Sequence, residues 1–160
     1  MRIKRNILFI SYDGLADHLG HSQIMPYLTE IAKKDDAVNI FILSYEKSNK
    51  LLDVSGVNKI KCDLEANKIK WVMLRYHKNP KILSTIFDIL AGIYVCIRLI
   101  RNYQIGVIHA RSYVPAAIAL FFKKTANKKF IFDMRGFWVD ERVEGWIWTR
   151  GYLYRFAKYL

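Results

Sequence analysis

Short apolar runs alternate with helical patterns along almost the whole sequence, and this alternation constrains the fold more than any other feature. Asn6–Ser11 is centred on four consecutive apolar residues, as expected for a strand that is buried on both faces. Four further runs predict strands over Val38–Leu43, Ile69–Leu74, Gly106–His109 and Lys129–Asp133. The sequence therefore predicts an α/β fold, a Rossmann-like, doubly wound parallel sheet.

Helical patterns occupy the segments between these runs, at 22–34, 79–103 and 113–124, with a final one at 146–160 and a lysine-rich surface helix within 47–67. Asn79 is expected to cap the long central helix, with Pro80 in its first position, and Ser112 to cap the next one. We expect residues 1–160 to form one domain, since this length suits a single compact unit.

The charge balance points to an anionic partner. Lys and Arg number 26 against 14 Asp and Glu, which gives a formal net charge of +12. A nucleotide diphosphate, an acidic lipid or a nucleic acid would each fit. Cys62 and Cys96 form no CxxC pair, and the apolar run after the basic N-terminus is too short for a secretory signal, so we expect a cytoplasmic protein.

The segment from Ile82 to Ile100 is apolar enough that a membrane-spanning helix has to be considered. Its longest uninterrupted apolar run, Ile89–Ile97, is well short of a spanning helix. Small and polar residues fall on one helical stripe: Ser84, Thr85, Asp88, Ala91 and Gly92. We therefore expect a buried or half-buried helix of a folded domain.

Polar segments follow three of the predicted strands. With the strand order 3-2-1-4-5, ligands would bind between the carboxyl ends of strands one and four. The loop at 11–23 and the segment His109–Tyr113 converge there, and Asp133–Glu141 forms the neighbouring wall. The sequence therefore predicts a ligand site at this edge of the sheet.

The first loop has the composition of a phosphate-binding loop. Gly14 and Gly20 would let the backbone approach a ligand, and the helix that follows would favour an anion at its N-terminus. The alternative is a flexible crossover with two turn glycines. Neither a dinucleotide fingerprint nor a P-loop is present, because the glycine spacings differ and His21 stands where a P-loop has lysine.

Other polar residues at this edge each allow a functional and a structural interpretation. His109 either contacts a ligand or is a core histidine, and Asp133 with Arg135 either meets a ligand or forms an ion pair. Trp138 offers a flat face to a sugar ring or packs in the core. His18 and His21 are weak evidence for a metal site, because no helix fixes their spacing.

With these residues placed, the chain resembles the N-terminal half of family 4 glycosyltransferases of the GT-B fold. The motifs that carry the likeness are Tyr12–Gly14, Leu19–Leu28, Val107–Ser112 and Phe132–Glu141. The resemblance implies a retaining, hexosyltransferase-type enzyme that moves a sugar from a nucleotide-sugar to a saccharide or lipid-linked acceptor, as in polysaccharide synthesis. It implies no obligatory metal or other cofactor, and a second domain that holds most of the donor, so this fragment alone is expected to be inactive.

Position and resemblance together give the expected roles. The expected catalytic residues are His109, Asp133 and Arg135. The expected donor-phosphate loop comprises Gly14, Gly20, His21, Ser22 and Gln23. The expected acceptor-binding residues are Tyr12, Asp13, Arg111, Ser112, Tyr113, Trp138 and Glu141. The family often carries His-x-His after strand four, whereas here Arg111 holds the second position.

The final helix, at 146–160, mixes aromatic and basic residues. This mixture suits either the surface of an anionic membrane, which would make the protein a peripheral one, or packing against the missing domain. Two other functions remain as alternatives, a non-catalytic nucleotide- or sugar-binding module and a nucleic-acid binder. We expect no nucleic-acid partner, because no recognition motif for one is present.

Overall fold

The computed structural model describes residues 5–51 and 53–135. Five strands form one parallel sheet: β1 (Arg5–Ser11), β2 (Val38–Glu46), β3 (Lys70–Arg75), β4 (Val107–Arg111) and β5 (Lys129–Asp133). Their order is β3-β2-β1-β4-β5, the one taken above to place the ligand site. The chain therefore has an α/β Rossmann-like fold, with β1 in the centre of the sheet. The predicted final helix lies outside the described residues.

Helices cover both faces of this sheet. A π-helical turn, Gly20–Ile24, leads into α1 (Met25–Lys34); the others are α2 (Ser48–Leu51), α3 (Val54–Ala66), α4 (Lys81–Tyr103) and α5 (Tyr113–Ala126). Successive strand residues face opposite sides, which divides the core into two layers. Leu8 and Ile10 pack with α4 and α5, whereas Phe9 packs with α1 and α3.

Several element boundaries differ from those expected. β2 continues to Glu46 rather than ending at Leu43, and β4 continues to Arg111, so His109 lies inside a strand. Pro80, not Asn79, occupies the cap position of α4. Ser112 precedes α5 as expected, but its side chain makes no capping hydrogen bond, because its backbone is turned to a φ of 78°.

Helix α4 packs on the sheet through the stripe of small and polar residues. The buried positions along it are Ser84, Asp88, Gly92, Cys96 and Leu99. The expectation of a partly buried helix is confirmed. In the first half of α4, however, the buried positions are small or polar, and most of the large apolar side chains face outward. Small residues there allow a close approach to Tyr45, whose hydroxyl donates a 2.6 Å hydrogen bond to the carbonyl of Asp88.

The carboxylate of Asp88 explains this orientation. It is fully buried and accepts hydrogen bonds from the Tyr12 hydroxyl (2.8 Å) and the His77 backbone N–H (3.2 Å). It also lies 2.6 Å from the His77 Nδ1. Burying a carboxylate is favourable only when such partners are in place. These contacts fix which face of α4 meets the sheet.

Lys81–Tyr103 is also the one helix among the described residues that is long and apolar enough to cross a membrane. An 18-residue stretch of it has a mean hydropathy of 1.9, and 28% of that stretch is buried. A single such helix is weak evidence for a membrane span. Its polar stripe is instead occupied by contacts with the sheet.

We expect Gly92→Val to destabilise the fold. A Cβ at this position would lie 2.2 Å from the Tyr45 hydroxyl and 2.7 Å from the Ile118 Cδ1, so the Tyr45 hydrogen bond would have to break. Overpacking of this kind costs about 1–3 kcal/mol. Urea unfolding measures it, and Gly106→Val is the matched control, because nothing lies within 4 Å of a Cβ there. Equal stability of the two variants would contradict the packing described.

Candidate functional site

Side chains from three segments meet at the carboxyl ends of β1, β4 and β5. The side-chain oxygen of Gln23 accepts hydrogen bonds from Arg111 Nη2 (2.7 Å) and from Arg135 Nη2 (2.5 Å). Asp133 Oδ2 lies 3.7 Å from Arg111 Nη1. We call these four residues the arginine cluster. It brings together residues that are 88 and 112 positions apart in the sequence.

The arginine cluster carries a net positive charge, because its two guanidinium groups face a single carboxylate. Two guanidinium groups share one neutral amide oxygen and one carboxylate, and Arg111 is only 5% exposed. The Arg111 Nε has no hydrogen-bond partner among the described residues. Burial, and then the adjoining Arg135, lower the pKa of Arg111, although Asp133 opposes this. The arrangement is suited to an anion with several oxygens.

His109 lies beside this cluster on the same face of the sheet. It pairs with Phe9 across β1 and β4, and its ring makes edge contacts with Phe9 (4.8 Å between centroids) and Tyr27 (6.0 Å). Burial lowers its pKa; the charge of Asp133 raises it, and that of Arg111 lowers it further. The net effect favours the neutral form of the imidazole, which lies against two aromatic rings.

The first loop is held by a buried carboxylate that the sequence analysis did not single out. Glu46, at the end of β2, is fully buried and accepts hydrogen bonds from the backbone N–H groups of Leu15 (2.7 Å) and Ala16 (3.1 Å). The Ser44 hydroxyl donates to it as well (2.6 Å), and the Trp71 indole donates to Ser44 (2.7 Å). Glu46 thus positions the loop. The alternation of polar Ser44 and Glu46 with apolar neighbours was the available signal.

The two loop glycines are required by the protein's own packing. A Cβ on Gly20 would lie 2.4 Å from the Leu15 Cα and 2.5 Å from the Gly14 carbonyl oxygen. A Cβ on Gly14 would lie 2.5 Å from a carboxylate oxygen of Glu46. Both positions are therefore closed to a side chain by neighbouring protein atoms, and their place in a donor-phosphate loop stays a prediction.

The residues after Gly20 remain accessible. His21, Ser22 and Gln23 are exposed in the π-helical turn, which begins the helix earlier than the expected Ser22. The Ser22 hydroxyl donates to the carbonyl of His18 (2.8 Å). Of these three side chains, Gln23 is the one that the structure brings into the arginine cluster.

The expected acceptor residues divide into separate groups. Tyr12 lies away from the arginine cluster, because its hydroxyl donates to Asp88 and its ring contacts Tyr45 and Tyr76. Its burial, and then Asp88, raise its pKa. The backbone N–H of Asp13 donates to the Ser11 hydroxyl (3.1 Å).

Ser112 and Tyr113 follow β4 next to β5. The Ser112 N–H donates to the carbonyl of Asp133 (3.0 Å), and the Tyr113 ring contacts Phe132 (5.6 Å between centroids). Trp138 and Glu141 lie outside the described residues.

The histidines of the first loop do not gather into a metal site. His18 and His21 are both exposed, and Asp17 forms an ion pair with Lys47 at 2.8 Å. Over residues 5–51 and 53–135, no three His, Cys, Asp or Glu residues lie close enough together to hold a metal ion.

Comparison with known proteins relates the chain to others through its fold. No protein-family model matches it, and neither does any curated protein. Among solved structures it is similar to a glycosyltransferase from Rickettsia africae ESF-5, with 21% identity and a TM-score of 0.50, over 81% of this chain and 29% of that one.

A UDP-N-acetylglucosamine 2-epimerase follows, with 12% identity and a TM-score of 0.49, over 81% of this chain and 33% of that one. The chain therefore spans a third or less of the length of these two proteins. What it shares with the glycosyltransferase is the Rossmann-like fold.

We expect Glu46→Gln to destabilise the protein and to loosen the first loop. The side-chain amide of the variant accepts through one oxygen only, and its NH₂ group would face a backbone N–H. One buried donor therefore loses its partner, at a cost of about 1–3 kcal/mol. Urea unfolding and hydrogen exchange at the Leu15 and Ala16 amides would measure the two effects. Glu65→Gln, on the exposed surface of α3, is the control. Unchanged exchange at both amides would contradict the role of Glu46.

We expect the contribution of His109 to the free energy of unfolding to fall as the pH is lowered through about 6.5. The unfolded chain binds a proton near the usual histidine pKa of about 6.5, whereas the folded protein, whose His109 pKa is depressed, binds it only at lower pH. Urea unfolding at several pH values should show this fall, and His109→Gln should reduce it. An NMR titration midpoint for His109 at or above 6.5 would contradict the burial effect.

Proposed function

We propose that this domain is the acceptor-side half of a GT-B glycosyltransferase, which moves a sugar from a nucleotide-sugar to a saccharide or lipid-linked acceptor. The observation that carries the proposal is the arginine cluster, in which Arg111 and Arg135 converge on the Gln23 oxygen at the edge of the sheet. In doubly wound sheets this edge is where ligands bind. The motifs at Leu19–Leu28 and Phe132–Glu141 support the same function.

The proposed chemistry needs positive charge at this position. Transfer breaks the bond between the sugar C1 and the donor phosphate oxygen, forms a bond from C1 to the acceptor oxygen, and releases the acceptor proton. Negative charge then develops on the departing diphosphate, and fixed guanidinium groups stabilise it. A phosphate oxygen can take the place of the Gln23 oxygen between Arg111 and Arg135. No metal or other cofactor is needed for this role.

The remaining candidates complete the proposal. Neutral His109 would hydrogen-bond the reacting sugar, and Asp133 would orient Arg111 or accept a hydroxyl proton. Asp13, Ser112 and Tyr113 would line the acceptor side together with Trp138 and Glu141. A second domain would hold the nucleotide, and its closure over the site would exclude water and limit hydrolysis of the donor. We propose a retaining hexosyltransferase of the cytoplasm.

The test is Arg135→Gln in the protein that contains this chain. Transfer should be measured with a panel of UDP-, GDP- and dTDP-sugars and a lipid and saccharide extract as acceptor. We expect kcat/KM to fall about 10²-fold, as for the loss of one donor to a developing oxyanion. Arg135 is exposed, so the unfolding midpoint should stay the same.

The control is Lys124→Gln, which also removes one positive charge but lies at the exposed end of α5, away from the site. Equal activity of the Arg135 and Lys124 variants would overturn the assignment of the arginine cluster. Binding of a nucleotide-sugar without transfer to any acceptor would instead favour a non-catalytic binding module.

A further inference from the structure

The outward face of α4 is an apolar surface of unusual extent for a single helix. Six large side chains on it are between 50% and 76% exposed: Ile82, Leu83, Ile86, Phe87, Leu90 and Tyr94. At helical spacing they form one continuous stripe about 18 Å long. We call this stripe the α4 apolar face.

This exposure follows from how the helix is anchored. Asp88, on the opposite side of α4, is tied to Tyr12 and His77, and Gly92 lies against Tyr45. Rotating the helix to bury its apolar side chains would leave the Asp88 carboxylate without these partners. The α4 apolar face therefore stays outward while the domain is folded.

Basic residues lie at both ends of this face. Lys78 and Lys81 are exposed at its start, and Arg98 and Arg101 are exposed beyond its end. Asp88 is the only acidic residue between Lys81 and Tyr103, and it is fully buried. The guanidinium of Arg98 lies 4.9 Å from the centre of the Tyr94 ring. The outer surface of α4 thus combines apolar and aromatic side chains with cations and carries no carboxylate.

We propose that the α4 apolar face docks on an anionic membrane. The helix would lie in the plane of the interface, with Phe87 and Leu90 among the acyl chains and the terminal Lys and Arg residues against lipid phosphates. This surface is separate from the arginine cluster, and the proposal stands whether or not the domain transfers sugars. It assigns membrane contact to the described part of the chain rather than to the segment at 146–160.

Charge argues against a second copy as the occupant. Two α4 faces placed together, parallel or antiparallel, would bring the cations of one helix against those of the other. No carboxylate on the outer surface of α4 would compensate them. A spanning orientation is also unfavourable, because it would remove Asp88 from its partners and place a carboxylate in hydrocarbon. The interface of an anionic membrane would bury the apolar side chains and pair the basic ones with lipid phosphates.

The test is co-sedimentation of the protein with vesicles of phosphatidylcholine alone or with 30% phosphatidylglycerol, a fraction on the order of that in anionic biological membranes. We expect binding to the anionic vesicles only, decreasing as salt is raised. Phe87→Gln combined with Leu90→Gln should reduce the affinity at least tenfold. Lys81→Glu combined with Arg101→Glu should reduce it by a similar factor and weaken the salt dependence.

Matched controls use exposed residues of α3, on the other face of the sheet. Val54→Gln and the pair Lys59→Glu with Lys61→Glu should bind as the unmodified protein does. All of these positions are exposed, so unfolding midpoints should confirm that each variant is folded. No vesicle binding, binding to both vesicle types alike, or equal loss in the α3 controls would overturn the proposal. So would concentration-dependent dimers that the Phe87 and Leu90 changes dissociate.

Discussion

The buried carboxylate of Asp88 determines how the long helix lies on the sheet, and much of the structure follows from it. Its partners, Tyr12 and His77, come from the ends of β1 and β3, so one side chain joins the helix to two strands. Glu46, at the end of β2, is a second buried carboxylate with a similar role, because it accepts hydrogen bonds from the backbone of the first loop. In both cases an acid that hydrophobicity would place outside is inside, because fixed donors surround it.

The end of β1 connects the two functional surfaces that we propose. Ser11 pairs with Arg111 in the sheet, whereas the next residue, Tyr12, reaches Asp88 beneath α4. The arginine cluster and α4 are therefore attached at two consecutive residues, the last residue of β1 and the one that follows it. For the lipid-linked acceptor that we propose, this arrangement would keep the acceptor phosphate near the membrane surface while its sugar reaches the arginine cluster.

The pattern of apolar runs was sufficient to predict the strands, and its signal is strongest for β1, β2 and β4, which are largely buried. The strand order and the edge where polar residues gather came from the doubly wound architecture that the alternation indicates. It could not reveal which face of α4 is buried, since that depends on Tyr12, 76 residues before Asp88. Glu46 was missed because β2 was expected to end at Leu43. The sequence singled out Gly20 for its backbone freedom, but it could not show that a Cβ there would meet the backbone of Leu15 and Gly14.

The exposed face of α4 has a consequence for the behaviour of the protein in solution. In water, apolar stripes on different molecules attract one another, and the formal net charge of +12 opposes their approach. Salt shortens the range of that repulsion to about 8 Å at physiological ionic strength. Purification in high salt would therefore promote aggregation of this protein, whereas low salt or a mild detergent would keep it dispersed.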